Sequence, residues 1–261
     1  MPYTEFNIVE KPIIEWLQEL GWKYLAPDEM KRDLEEPFHL EILKQSIRRL
    51  NPDLVTDDDI DKVVSQLRKI SNDLAGNKEF LEWLKGERSV VLKPGEKAKT
   101  IRLLDIDSPE NNTYVVTNQL KFAGYENVKF DIVLMVNGIP LVVIEAKVPT
   151  RELLDYNEAI KQIKRYVRNA PQFFKYLAFV CPTDGVVFKY GWVADGYERF
   201  HEWRKDKISD PVKAAVKGLF DKESFLDFVG NFIVFERERE KLTKKIAMQQ
   251  QVVAANKIVE R

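Results

Sequence analysis

The sequence predicts an α/β domain, a mixed sheet flanked by helices. Three features carry that prediction. Residues 97–147 hold short apolar runs divided by turn-forming residues, the pattern of strands. The stretches on either side repeat apolar residues at intervals of three and four, the pattern of helices. The resulting order of helix, strands, helix, strand is one that packs helices against a sheet.

Residues 4–20 read as a helix. Asn7 is the candidate N-cap, Glu10 follows three positions later and Pro12 is tolerated in the first turns. Ile13, Ile14, Trp16, Leu17 and Leu20 form its apolar stripe, and Gly21 ends it. Residues 29–86 are charged and helical in spacing, with Ile60, Val63, Val64, Leu67 and Ile70 on one face. Thr56 before Asp57, Asp58 and Asp59 marks a helix start, through its hydroxyl and through the helix dipole. This region, bounded at 29–95, reads as a helical insertion beside the core. Strands are expected at 100–107, 113–122, 129–136 and 141–147. They are divided by Ser108-Pro109 with Asn111-Asn112, by Gly124 and by Asn137-Gly138. A helix over 150–168 and two short strands at 176–181 and 186–190 follow, the strands split by Pro182-Thr183-Asp184-Gly185. Residues 192–261 read as mostly helical, the last helix still running at Arg261.

Composition narrows the chemistry. The chain has 261 residues, 44% hydrophobic and 32% charged, the balance of a globular protein with a sizeable core. No apolar run reaches the roughly 20 residues that span a membrane, and the N-terminal residues lack the order of a signal peptide. The single cysteine, Cys181, excludes a disulfide framework or a thiolate zinc site. These features together point to the cytoplasm. His39 and His201 are the only histidines, and neither sits near another ligand in sequence. The net charge of −1 argues against a dedicated DNA-binding domain, so any nucleic acid would be held by a local patch or with help from another domain or subunit.

Two strands carry candidate chemistry. The segment 130–136 is apolar with Asp131 near its start, and 141–147 is apolar until it ends in Glu145-Ala146-Lys147. Side chains two apart on a strand share a face, so Glu145 and Lys147 project together while Ala146 turns back. Whether Asp131 joins them depends on hairpin register. A two-residue Asn137-Gly138 loop alone sets Asp131 opposite Ile144, with Glu145 on the other face. A three-residue loop or a bulge sets Asp131 opposite Glu145, about 5 Å away between Cβ atoms. Pro140, which has no N–H, favours the longer loop or the bulge. Two such carboxylates repel unless a cation lies between them, and hard oxygen ligands suit Mg²⁺ or Mn²⁺. The carbonyl of Ala146 is a further possible ligand, and Lys147 could act on a water or on phosphate charge. The plain alternative is a solvated ion pair on an edge strand.

Asp131 followed by Glu145-Ala146-Lys147 on consecutive strands resembles the PD-(D/E)XK nuclease superfamily, with Phe130 where the name has proline. The next helix carries Gln162 and Tyr166, a Q-x-x-x-Y pair on one face. A helical wheel puts Tyr156, Ile160, Ile163 and Val167 toward the core and Gln162 and Tyr166 away from it. Lys161, Lys164, Arg165 and Arg168 fill the arc between. This arrangement resembles the nuclease domain of the restriction (R) subunit of type I restriction enzymes. The resemblance implies that Gln162 and Tyr166 support DNA handling and cleavage beside the active site. It also implies that Glu10, in a matching opening helix, reaches the metal; the alternative is a capping box with Asn7. Residues 228–236 and 251–261 resemble the junction into the family's helicase-like motor, where Gln251 matches an adenine-contacting glutamine. The phosphate-binding loop of such motors is absent from these residues, so ATP would serve only the longer subunit. The implied division is a nuclease domain over 1–225 and the start of a motor over 226–261.

The expected function is Mg²⁺-dependent cleavage of double-stranded DNA. Lys161, Lys164, Arg165 and Arg168 would contact phosphates without reading bases. Separate specificity (S) and methylation (M) subunits would be the partners. A non-catalytic docking module, or a related repair nuclease, remains the alternative.

Overall fold

The structure, a computed structural model of the chain, describes residues 6–52, 55–148, 156–194, 197–203 and 210–259. A five-residue π-helical turn, Phe6–Glu10, runs into α1, Lys11–Glu19. Gly21 closes it at φ +82°, a backbone angle that glycine adopts without a Cβ clash. Asn7 therefore lies inside helical backbone and is not the cap expected for it. At the start of α1 the cap position falls to Glu10, which makes no capping bond. Its side chain points elsewhere.

Strand β1, Lys23–Tyr24, precedes three helices: α2, Leu40–Leu50; α3, Asp57–Lys69; and α4, Leu74–Leu84. Thr56 caps α3, as the sequence suggests, and Asp59 returns the bond in a reciprocal capping box. These helices share the central core. Tyr176 Oη donates to the Leu67 carbonyl at 3.0 Å, and Asn77 Nδ2 donates to the carbonyls of Lys175 and Leu177, each at 2.9 Å.

The pair β2, Ser89–Val90, and β3, Lys99–Thr100, is short. The strand expected over 100–107 stops at Thr100. Beyond it Ile101, Leu103 and Leu104 are buried, but asparagine side chains replace a ladder. Asn51 Oδ1 accepts from Arg102 N–H, Asn112 Oδ1 from Asp105 N–H, and Asn137 Nδ2 donates to the Leu103 carbonyl. Apolar spacing alone does not reveal that substitution of partners.

The site is built on the strands that follow: β4, Tyr114–Ala123; β5, Asn127–Val136; and β6, Ile139–Ala146. Helix α5, Tyr156–Asn169, and the short α6, Pro171–Phe174, come next; the expected start of α5 at 150 lies outside the described residues. Strands β7, Phe179–Thr183, and β8, Lys189–Ala194, lie about three residues later than expected, because Pro182-Thr183 belongs to the strand and not to the turn. Strand β9, Tyr197–Glu202, completes a seven-stranded sheet in the order β1-β4-β5-β6-β7-β8-β9. The β1–β4 and β6–β7 pairs are parallel and the rest antiparallel, so the sheet is mixed.

Helices α7, Pro211–Leu219, and α8, Lys222–Asn231, precede a hairpin of β10, Ile233–Glu238, and β11, Lys241–Ile246; α9, Gln249–Val259, follows. The mostly helical reading of 192–261 is thus corrected by β8, β9 and this hairpin. Its turn holds Arg239 at φ +55°, where Gly or Asn would normally announce a two-residue loop. Lys244, buried, ties the hairpin to the core: Nζ donates to Asn77 Oδ1 at 2.8 Å and to the Leu177 carbonyl at 3.1 Å. Nζ also stands 3.6 Å from the centre of the Trp192 ring. Among the described residues no helix is long and apolar enough to cross a membrane.

The turn between β5 and β6 anchors the sheet to α2. Gly138 adopts φ +77°, and a Cβ there would fall 2.5 Å from the His39 carbonyl oxygen and 2.7 Å from Leu43 N. Gly138→Ala is expected to cost roughly 2–4 kcal/mol, from backbone strain plus displacement of α2. Urea unfolding measures this; an unchanged midpoint would show that the turn bears no such load.

Candidate active site

The β5–β6 register decides which side chains meet. Val136 pairs with Ile139 across a two-residue turn, Asn137-Gly138, with both residues at positive φ. Met135 pairs with Pro140, but Leu134 pairs with Val142, so one extra residue bulges from β6. The ladder then continues through Val133–Val143 to Ile132–Ile144. One further step sets Asp131 opposite Glu145. The turn is the short one, the bulge restores the register, and the three-residue loop is not used.

Beyond Ile144 the ladder opens, and Asp131 uses the gap. Its Oδ2 accepts the Ala146 N–H at 2.9 Å, and its Oδ1 accepts from Gln119 Nε2 at 3.4 Å. Glu145 is fully buried in the central strand, next to Pro182 of β7 on the other side. Its Oε1 accepts from Lys147 Nζ at 3.0 Å, and the same Nζ donates to the Ala146 carbonyl at 2.9 Å. Its Oε2 is buried without a hydrogen-bond partner. Burial first, and then the neighbouring Asp131 charge, push the Glu145 carboxyl well above the usual carboxylate range; Lys147 opposes the shift. An edge-strand ion pair in water shows none of this.

Glu10 is buried as well, and two amides hold its carboxylate. Asn118 Nδ2 donates to Oε2 at 3.1 Å and Gln119 Nε2 to Oε1 at 2.8 Å. Glu10 thus lies on the Asp131 side of the site, and Asn7, inside helical backbone, is not at the cap position. It reaches Asp131 through the Gln119 amide. Among the described residues no three Asp, Glu, His or Cys side chains gather closely enough to hold an ion by themselves. Asn118 and Gln119 escaped sequence reasoning. The available signal was two consecutive polar amides inside an otherwise apolar strand.

Tyr166 corrects the helical wheel. It is buried on the sheet side of α5, and Val167, assigned to the core, is only half-buried. Tyr166 Oη donates to the Lys129 carbonyl at 2.7 Å and accepts from Gln162 Nε2 at 2.7 Å. Its ring meets Phe130 edge-on at 5.1 Å. Burial and then the Glu145 charge raise its phenol above the ordinary value, and its bond to Lys129 falls two residues from Asp131 on β5. On the outer face of α5, Lys161, Arg165 and Arg168 are exposed and Lys164 is half-exposed. Lys161 pairs with Glu158, and Arg165 lies 5.6 Å from the Tyr166 ring centre. Gln251 stands at the start of α9, where its Oε1 accepts from Met248 N–H at 2.8 Å.

Apposed carboxylates at the end of a central strand, a lysine two residues on and helices against a mixed sheet define a PD-(D/E)XK-type nuclease fold. The comparisons agree. The family model for the type I restriction enzyme R protein N terminus matches residues 2–199. The chain belongs to that family. It is 31% identical, over 97% of its length, to the type I restriction enzyme HindI endonuclease subunit of Haemophilus influenzae, covering 26% of that relative. It is 30% identical, over its whole length, to the putative MjaVIIIP endonuclease subunit of Methanocaldococcus jannaschii, again covering 26%. A Staphylococcus aureus endonuclease subunit matches 73% of the chain at 24% identity, with 20% of that relative covered. The chain therefore spans about a quarter of the length of such relatives.

The buried carboxyl has a pH consequence. A folded pKa above 4.5 means that Glu145 favours folding while protonated and that this contribution fades as pH rises through the shifted value. A divalent cation bound at this carboxyl would compete with that proton. If the ion binds there, the melting-temperature increase on adding Mg²⁺ should grow as pH rises through the shifted value, and be absent in Asp131→Asn. An increase independent of pH would contradict it. Tyr166→Phe removes the bond to Lys129 and should cost about 1 kcal/mol in chemical denaturation, whereas no loss would remove Tyr166 from the support of the site.

Proposed function

We propose that this chain is the DNA-cutting part of a type I restriction enzyme R subunit, hydrolysing phosphodiester bonds of unmodified double-stranded DNA. The observation that carries the reading is the unpartnered, buried Oε2 of Glu145 on a strand whose neighbour presents Asp131. An anionic oxygen in that position calls for a cation. Mg²⁺, or Mn²⁺ in its place, fits a site of two carboxylates and a backbone carbonyl, since it keeps several waters and needs few protein ligands. When bound it supplies Lewis acidity toward phosphate and water.

The chain's own residues do the rest. Asp131, Glu145 and the Ala146 carbonyl would hold the ion. Lys147, fixed between Glu145 and that carbonyl, presents its ammonium to the scissile phosphate or orients the attacking water. Gln162 and Tyr166 keep α5 in register with β5, so that the basic outer face of α5 lies where duplex phosphates approach. Lys161, Lys164, Arg165 and Arg168 give contacts without base readout. Site choice would belong to an S subunit, methylation to an M subunit, and ATP use, with Gln251 near adenine, to the motor of the full-length subunit.

In the full-length subunit assembled with its partners, Asp131→Ala and Lys147→Ala should each lower DNA cleavage by at least about 10²–10³-fold. ATP hydrolysis and translocation should persist. Cleavage at the wild-type rate would instead favour a docking module. The chain alone, at a net charge of −1, should bind duplex DNA weakly and with steep salt dependence; tight binding at physiological salt would contradict the proposed α5 patch.

A further inference from the structure

Gln119 is the unusual residue of the site. It lies in the interior of β4 yet adopts φ +51°, a left-handed conformation that a non-glycine residue rarely takes in a strand. Its neighbours pair normally with β5, Asn118 with Ile132 and Leu120 with Phe130. Consecutive side chains on a strand point to opposite faces. Here Asn118 and Gln119 both reach the carboxylate of Glu10, which the left-handed turn at Gln119 makes possible. Backbone strain of this kind costs of the order of 1–3 kcal/mol and persists where the surroundings enforce it.

The product of that strain is a carboxamide between two acids. Gln119 Nε2 donates to Glu10 Oε1 at 2.8 Å and to Asp131 Oδ1 at 3.4 Å. A neutral NH₂ group, with its two hydrogens, thus stands where a cation shared by Glu10 and Asp131 would stand. Asp131's other oxygen is turned to the Ala146 N–H, on the Glu145 side. The absence, among the described residues, of any three-acid cluster able to hold an ion agrees with this separation.

We propose that Gln119 is a positioning residue that restricts the centre to one divalent cation, held on the Asp131–Glu145 side, by occupying the gap between Glu10 and Asp131. Glu10 then acts through Gln119 to fix Asp131 and does not coordinate the ion. This rests on the metal-dependent reading above and assigns the division of labour within that site.

The test counts ions. The full chain is titrated with Mn²⁺, and free Mn²⁺ is followed by its paramagnetic resonance signal. Wild type should bind one ion, and Asp131→Asn should lose it. Gln119→Glu puts a third carboxylate in the gap and should bind two. Gln119→Gly removes the amide while relieving the strained φ, so it remains testable if the glutamate variant misfolds; it too should bind two. A purely structural role for Gln119 would leave the count at one in both variants and overturn the proposal, as would two ions in wild type. No bound ion in wild type, or one that survives Asp131→Asn, would overturn the metal reading and this inference with it.

Discussion

The hairpin of β5 and β6 carries one residue more on β6 than a regular ladder allows, and the site depends on that residue. Side chains alternate with a period of two, so without the bulge Glu145 would face the opposite side of the sheet from Asp131. With it, the two carboxylates meet at the end of a strand pair whose apolar residues are buried. The bulge is enforced from both ends. The Asn137-Gly138 turn is locked against α2, and below the bulge an uninterrupted apolar ladder runs from Leu134–Val142 to Ile132–Ile144.

Burial gives the meeting its chemistry. A pair of carboxylates in water would share little more than mild repulsion. Here Glu145 has no solvent, one oxygen accepts from Lys147, and the other has no donor and lies under the influence of Asp131. The fold holds a group that favours either a proton or a cation, and Lys147 partly offsets the negative charge without quenching it. Around this pair neutral amides complete the frame. Asn118 and Gln119 hold Glu10, and Gln162 and Tyr166 hold α5 to the backbone of β5. Neutral donors orient carboxylates without lowering the local negative potential as a lysine or arginine would.

Much of this is written locally in the sequence. The charges that end the apolar run 141–147 mark a central strand with a polar end, and Glu145 and Lys147 share a face by spacing alone. The Thr56 cap and the Gly21 stop are local devices and are readable as such. The bulge was legible only as one of two options, because Pro140 disfavours a regular ladder without saying where the extra residue goes. Tyr166 was misplaced because a wheel centred on the aliphatic residues misses a helix whose buried face includes a hydroxyl bonded to the sheet backbone. Segment 101–107 looked like a strand because its apolar residues are buried, yet distant asparagines satisfy its backbone. The β10–β11 hairpin was hidden by a turn made from Arg239-Glu240, which carries no turn signal. In each case the missing information is a long-range partner.

A crystal structure of the chain grown with Mn²⁺, read by anomalous scattering, tests the account most directly. It should show an ion bridging Asp131 and Glu145 at about 2.0–2.2 Å, with Lys147 Nζ beside it and the Gln119 amide still against Glu10. An anomalous peak elsewhere, with Asp131 and Glu145 facing each other and no ion between them at saturating Mn²⁺, would contradict it.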